Sequence, residues 1–278
     1  MKAGLVSRID KPEALELMRG VLEHLESRGV EVLVETETAF ATSMPGRNSD
    51  LGEMEVDFVV TVGGDGTILR TAMQMREPGT PILGVNMGSR GFLTEVLPED
   101  VYDALDKVLE KDHRIEECMK LSSRNTTLDK DFPDALNEVL VASSLPSKAL
   151  DFQLSIDDQQ ILDIQADGII VATPVGSTAY NLSAGGSILS PDLGALIITA
   201  ICPYSYFRSI VVPQESRVGI ELLKPNADAL VIIDGRDYTA TKPLSRIEVW
   251  ASRHRARFIR FRSFYERLER RLVIKEIR

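Results

Sequence analysis

Cysteine is scarce in this chain: Cys118 and Cys202 are the only two in 278 residues. They lack metal-ligand spacing and are too few for a disulfide framework, so neither a zinc module nor a stapled scaffold is expected. Histidine is scarce too. His24, His113 and His254 are scattered outside any catalytic-looking motif, which argues against a zinc site and against a Ser-His-Asp triad. No apolar run reaches about 18 residues, so no helical membrane span is expected. The start, Met1-Lys2-Ala3-Gly4-Leu5-Val6, runs straight into a strand without a signal-peptide pattern, so a cytoplasmic chain is the expectation. Two common phosphate motifs are missing as well: there is no G-x-x-x-x-G-K-S/T loop and no G-x-G-x-x-G loop.

What is present has the profile of a globular protein, with 44% hydrophobic and 27% charged residues. The formal net charge of −10 argues against non-specific nucleic-acid binding. The charge is uneven. Residues 253–278 hold ten Lys/Arg against three glutamates, a local balance of +7, which leaves −17 on the remainder. Such a basic tail reads as a solvated helix face, or as a subunit contact or polyanion-steering patch.

Residues 1–115 alternate strand and helix. Apolar runs at Ala3–Val6, Val30–Val34, Val56–Val62 and Pro81–Val85 predict four strands. Helical spacing predicts helices after Asp10, over 67–76, and over Pro98–Asp112. Asp10 is a plausible N-cap, with Glu13 three residues on. Residues 36–55 read as a loop. This β-α-β order implies a Rossmann-like α/β domain with a parallel sheet. From 116 to 255 the pattern becomes short strand-like runs between turn residues, which predicts an all-β sandwich. Phe264–Leu272 then returns to helical spacing.

The chemistry gathers in a few segments. Gly63-Gly64-Asp65-Gly66-Thr67 follows the buried run Val56–Val62, so a strand runs into a glycine turn with one carboxylate at its centre. Glycines let the backbone approach a ligand, and the following helix puts the turn at a positive dipole end. Asp65 would repel phosphate unless it binds a metal ion or accepts a proton. The same five residues also suit a plain strand-to-helix turn. Asn86-Met87-Gly88 follows the fourth strand, at a carboxyl end that favours a ligand crevice. Asn137-Glu138 interrupts an apolar strand, which is costly unless both are satisfied. Glu138 suits a ribose diol and Asn137 an adenine edge. Residues 167–186 are small and hydroxylated around one large ring, Tyr180, which can stack on a base; Ser177, Thr178 and Ser183 can donate to phosphate or ribose. Asp234-Gly235 by itself is a hairpin turn signal.

Taken together, Gly63–Thr67, Asn86 with Gly91–Glu95, Asn137-Glu138, Asp167-Gly168 through Thr173-Pro174, Gly176–Tyr180 and Asp234-Gly235 resemble the NAD kinase family of archaea and bacteria. The matches occur in family order from residue 63 to 235. Pro203-Tyr204, Ser209 and Arg236 depart from the common family pattern. The resemblance implies Mg²⁺- or Mn²⁺-dependent transfer of the γ-phosphoryl of ATP, or of another triphosphate or polyphosphate, to the adenosine-ribose 2′-hydroxyl of NAD. It implies an NAD kinase-like two-domain fold: 1–115 with 256–278 packing back, and a β domain over 116–255. Asp65 would be the catalytic carboxylate, and the metal would ride on the nucleotide, with Asp65 as a candidate ligand. Gly64, Gly66 and Thr67 would meet phosphates. Asn86, Asn137, Glu138, Asp167, Thr178, Ala179, Tyr180, Ser183 and Asp234 would line the dinucleotide site. A homo-oligomer, dimer or tetramer, is implied too, without nucleic-acid or membrane partners. A lipid kinase sharing the glycine-Asp turn and a non-catalytic NAD(P)-binding sensor are the alternatives.

Overall fold

The structure is a computed structural model that describes residues 1–272 apart from 45, 89–90, 146–147 and 226–227. Two positions of the Asn86–Glu95 motif and the last six residues of the basic tail lie outside the described residues. The chain divides into two compact units, Met1–Glu117 with Ala256–Arg278, and Cys118–Arg255.

The first unit contains β1 (Lys2–Ser7), α1 (Pro12–Ser27), β2 (Glu31–Glu35), α2 (Thr36–Thr42), β3 (Asn48–Ser49), β4 (Phe58–Gly63), α3 (Asp65–Gln74), β5 (Ile82–Asn86) and α4 (Val101–Leu109). Its sheet runs β3-β2-β1-β4-β5, every pair parallel. β4 is buried along its whole length, as a strand covered on both faces must be, and this explains why Thr61 is its one polar residue. Ala14, Met18, Val21, Leu22 and Leu25 of α1 join Leu5, Val60 and Leu83 in one core, together with Val101, Leu105 and Val108 of α4. Leu5, Val60, Leu83 and Met18 are completely buried. A fully buried side chain of this kind contributes about 1.5–3 kcal/mol.

Three local expectations need correction. The 36–55 segment is not all loop: it holds α2, capped by the Glu35 carboxylate accepting the Thr38 N–H. Its apolar content is too low to show helical periodicity over two turns. Asp10 does not cap α1, because the helix begins at Pro12 behind Lys11 with no side-chain cap. Instead Asp10 takes a two-pronged bond from Arg8. The helix after residue 97 is also shorter than expected, a 3-10 turn at Pro98–Asp100 followed by α4.

The second unit begins within β6 (Arg114–Asn125) and continues with β7 (Lys130–Asp131), β8 (Glu138–Ser143), β9 (Leu150–Ile156), β10 (Gln159–Ala166), β11 (Gly168–Ala172), α5 (Tyr180–Ser183), β12 (Ala195–Ile201), β13 (Ser209–Pro213), β14 (Val218–Leu222), β15 (Ala229–Ile233), β16 (Asp237–Thr241) and the first part of β17 (Arg246–Arg260). Six strands form an antiparallel sheet in the order β13-β12-β11-β8-β15-β16. A further antiparallel run pairs β10, β9, β14 and β17. The architecture is therefore an α/β Rossmann-like unit plus an all-β unit.

After β17 comes α6 (Phe264–Leu272). Arg253, Arg257 and Arg270 are exposed, as a solvated face would have them, but two of the tail's arginines are not. Arg260 and Arg267 are buried and both pair with Glu116, and both also lie against Glu95. Two of the tail's ten cations are thus neutralised inside the first unit. Among the described residues no helix is long and apolar enough to cross a membrane.

Candidate active site

In the first unit, β4 ends at Gly63, which pairs in register with Asn86 at the end of β5. The Met87 N–H donates to the Gly63 carbonyl at 2.7 Å, so the two strand ends are fastened together. α3 opens immediately, with Gly64 at its N-cap in extended conformation. The glycines are not equivalent. A Cβ on Gly63 would lie 2.3 Å from Thr67 Oγ1, so packing demands glycine there, whereas a Cβ on Gly64 would meet nothing within 4 Å. The Asp65 carboxylate accepts the Phe92 N–H at 2.7 Å on one oxygen and the Leu93 N–H at 3.1 Å on the other. Asn86 Oδ1 accepts the Gly88 N–H. Gly64, Asp65, Gly66, Thr67 and Asn86 therefore share the carboxyl ends of two parallel strands, where ligands of open α/β sheets bind. A cation that sequence reasoning overlooked also comes here: Lys11 Nζ donates to the Met87 carbonyl at 3.0 Å. Its only sequence signal was its place just after β1.

In the second unit a turn organises the acidic group. The β15–β16 hairpin turns at Asp234 and Gly235, with φ of 49° and 63°. Two positive φ values fit the Asp-Gly pair that such tight hairpins favour. The turn aims the Asp234 carboxylate at the chain entering β8. It accepts the N–H of Leu136 (2.7 Å), Asn137 (2.7 Å) and Glu138 (3.0 Å). Burial raises the Asp234 pKa, and those three N–H groups and the charge of Lys120 oppose the shift. Lys120, in the apolar run of β6, is itself pulled down by burial against the charges of Asp134 and Asp234. A lysine inside Cys118-Met119-Lys120-Leu121 was the sequence signal for it.

Glu138 is the exceptional group. Its Oε2 is buried without a hydrogen-bond partner. Burial, reinforced by the Asp234 charge and only partly offset by the Tyr180 N–H, pushes its pKa up to about 8. A buried carboxyl lacking a partner is costly unless a ligand supplies one. The segment around Tyr180 closes over the same chain. A Cβ on Gly176 would stand 2.0 Å from the Asn137 carbonyl oxygen, so only glycine allows that approach. Thr178 is buried, its hydroxyl donating to the Val175 carbonyl, while Tyr180 and Ser183 are exposed. Ala179 is half-buried between them. One expectation fails: the Ser177 hydroxyl is fully buried, donating to the Pro174 carbonyl and accepting the Leu189 N–H, so it serves the fold. Asn137, Glu138, Thr178, Ala179, Tyr180 and Asp234 are thus brought together. Asp167 stands apart, because β11 presents Ala172 to Glu138 and Asp167 precedes its other end.

The raised pKa gives a signed prediction. A carboxyl whose folded pKa lies above its unfolded value of 4.5 gives its full stability below pH 4.5 and loses it as pH rises toward about 8. Glu138→Gln removes that penalty. Its thermal midpoint should rise relative to the unsubstituted protein between pH 5 and pH 8. A parallel pH dependence of the two proteins would show that Glu138 is not held neutral by burial.

The first unit holds a glycine turn at the head of a helix, and the second holds a buried carboxyl oxygen without a partner; both features suit a nucleotide-binding protein. Comparison with known proteins makes the class specific. The ATP-NAD kinase N-terminal domain matches residues 3–113, and the ATP-NAD kinase C-terminal domain matches residues 136–261. The chain is 38% identical over 276 residues to the NAD kinase of Methanothermobacter thermautotrophicus, covering 98% of this chain and 96% of that protein. Among solved structures, the NAD kinase from Archaeoglobus fulgidus in complex with ATP has a TM-score of 0.75 at 30% identity, covering 98% of this chain and 96% of that one. Yeast NADH kinase complexed with NADH has the same fold, with a TM-score of 0.89 at 24% identity, covering 100% of this chain and 89% of that one. The chain belongs to the NAD kinase family. Nothing in these likenesses supports a lipid kinase or a non-catalytic sensor.

Proposed function

We propose that the chain makes NADP from NAD and a nucleoside triphosphate by a division of labour between its two units. NAD kinase activity is that of its family; the residue roles are our reading. Gly64, Gly66 and Thr67 bind the donor's phosphates through backbone at the start of α3, where the helix dipole favours anions. The open space around Gly64 supports this role, since packing does not require a glycine there. Asp65, held by two backbone N–H groups, faces the reaction as an oriented carboxylate that takes the acceptor's proton or anchors a cation. Among the described residues no cluster of three or more His, Cys, Asp or Glu could hold a metal ion. A donor set of one carboxylate fits a Mg²⁺ or Mn²⁺ ion bound chiefly by the nucleotide's phosphates, with Asp65 as its protein ligand. Such an ion supplies charge neutralisation on the leaving phosphates.

The acceptor is recognised by directional groups. Glu138 accepts the hydroxyls of a ribose, Asn137 bonds the adenine edge, and Tyr180 stacks on a base. Thr178, Ala179 and Ser183 complete the wall, and Asp234 holds the Asn137-Glu138 backbone in place. Asp167 serves a different part of the dinucleotide, consistent with its separate position. The observation that carries the reading is Glu138 Oε2, a buried carboxyl oxygen for which a ribose hydroxyl is a matching donor. The reading also carries a homo-oligomer, dimer or tetramer. The exposed rings of Tyr204 and Tyr206 and the exposed Val211 on the edge strand β13 support it.

Donor and acceptor should differ in selectivity. The glycine turn offers phosphate contacts, and Gly63–Thr67 themselves bring no large or amide side chain that could read a base. NADP formation should therefore proceed with ATP, GTP, CTP and inorganic polyphosphate at equal concentration, at rates within about an order of magnitude. Turnover with ATP alone would reveal a base pocket and overturn this assignment of the donor site.

A further inference from the structure

The Gly91–Glu95 stretch and the basic tail were both conspicuous in the sequence, and the site described above gives neither a chemical task. In the first unit they form one hydrogen-bonded chain. The Phe92 and Leu93 N–H groups hold both oxygens of Asp65. The Leu93 carbonyl, on the next peptide, accepts Arg260 Nη1 at 2.6 Å. Arg260 is 2% exposed. Its Nε donates to Glu116 Oε2 at 2.7 Å, and its guanidinium lies 4.7 Å from the centre of the Phe258 ring. Glu95 closes the ring of bonds. Its Oε1 accepts the Phe261 and Arg262 N–H groups, each at 2.8 Å, and its carbonyl accepts Arg262 Nη1 at 2.9 Å. Arg267 on α6 fixes Glu116 from the other side at 2.7 Å. Burial raises the Glu116 pKa, but the two arginines outweigh it and hold the carboxyl below its usual range.

We propose that Arg260 is a positioning residue for phosphoryl transfer: by gripping the Leu93 carbonyl it fixes the two amides that orient the Asp65 carboxylate. This rests on the reading that Asp65 acts in the reaction. The alternative role for a buried arginine is charge compensation of Glu95 and Glu116, and geometry separates the two. Charge compensation needs a cation. Gripping a carbonyl and a carboxylate at once needs the planar fork of a guanidinium, which lysine lacks. The Leu93 bond goes to a neutral backbone oxygen, so it answers no charge. Small misplacements of a reacting group cost as much as a hundredfold in rate. A loop that sets the orientation of one carboxylate is where such a misplacement would act.

The test is a double-mutant cycle between Arg260→Lys and Asp65→Asn, read as kcat at saturating NAD and ATP, with thermal unfolding as a control for folding. Arg260→Lys should lower kcat about 10- to 100-fold, with both KM values within about twofold. In the Asp65→Asn background it should cause almost no further loss, because the group it positions is gone. Amide exchange of Phe92 and Leu93 should also quicken in Arg260→Lys. If Arg260→Lys does not fold, Glu116→Gln enters the same cycle. It loosens the guanidinium at Nε while retaining a neutral acceptor, and its loss of kcat should likewise vanish without Asp65. Losses that multiply in the double variant, or a kcat unchanged in Arg260→Lys, would overturn the positioning role while leaving NAD kinase activity intact. Absence of NADP formation by the unsubstituted protein would instead overturn the underlying reading, and the proposal with it.

Discussion

Asp65→Asn should lower turnover by about two to four orders of magnitude, the range spanned by positioned acid–base groups. The substitution keeps the shape of the side chain and one acceptor oxygen, but removes the charge and turns the other oxygen into a donor. That donor would face one of the N–H groups of Phe92 and Leu93 that now hold the carboxylate. The fold should survive, because the loop returns to β5 through other bonds: Glu95 N–H and Val96 N–H donate to the Gly84 carbonyl, and Asn86 N–H to the Val96 carbonyl. NAD binding should persist, since Asn137, Glu138 and Tyr180, to which its recognition is assigned, belong to the second unit. Steady-state kinetics together with calorimetric NAD binding check this. Turnover within tenfold of the unsubstituted protein would remove Asp65 from the chemistry.

Asp234→Ala should be the most destabilising change in the acceptor region. Three buried N–H groups lose their acceptor at once. Each unsatisfied buried donor costs about 1–3 kcal/mol, and bonds to a charged group lie at the upper end. Two effects act in the opposite sense. The desolvated charge of Asp234 is removed, and Glu138 is relieved of its neighbour, which is one cause of its raised pKa. Alanine also occupies a left-handed turn position, with φ of 49°, less readily than aspartate does. We expect the lost bonds and the strain to win, for a net cost on the order of 3 kcal/mol, a large fraction of a stability of about 5–15 kcal/mol. Asp234→Asn, which keeps one acceptor oxygen and tolerates the turn, should cost distinctly less. Urea unfolding of the three proteins measures both differences. An Asp234→Ala protein within about 0.5 kcal/mol of the unsubstituted one would show that the hairpin does not hold the β8 entry.

The sequence revealed most where one short segment carries the whole signal. β4 and the opening of α3 were legible because an apolar run meets a glycine turn, and both properties lie within a dozen residues. The Asp-Gly hairpin was legible for the same reason, since its left-handed backbone is written in its residue types. What the turn does was not legible. Asp234 bonds to residues some 97 positions earlier, and no local pattern encodes a bond of that separation. The roles of Lys120 and Arg260 stayed hidden for a related reason: a cation in an apolar run hints at burial, but its task shows only in the acids folding brings against it. Ser177 was misread because a hydroxyl in a glycine-rich segment looks available until the Leu189 N–H arrives from twelve residues away. Short α2 escaped because its buried face has just Thr38, Ala39 and Thr42.

The central claim is that this chain phosphorylates the 2′-hydroxyl of the adenosine ribose of NAD, and one measurement reaches it directly. The purified protein is incubated with ATP, Mg²⁺ and NAD, and the dinucleotide product is separated and examined by phosphorus NMR. Our account predicts ADP and a dinucleotide bearing one new phosphomonoester at the adenosine 2′ position, formed in equal amounts. An unchanged NAD pool, or a phosphate at any other hydroxyl, would contradict it.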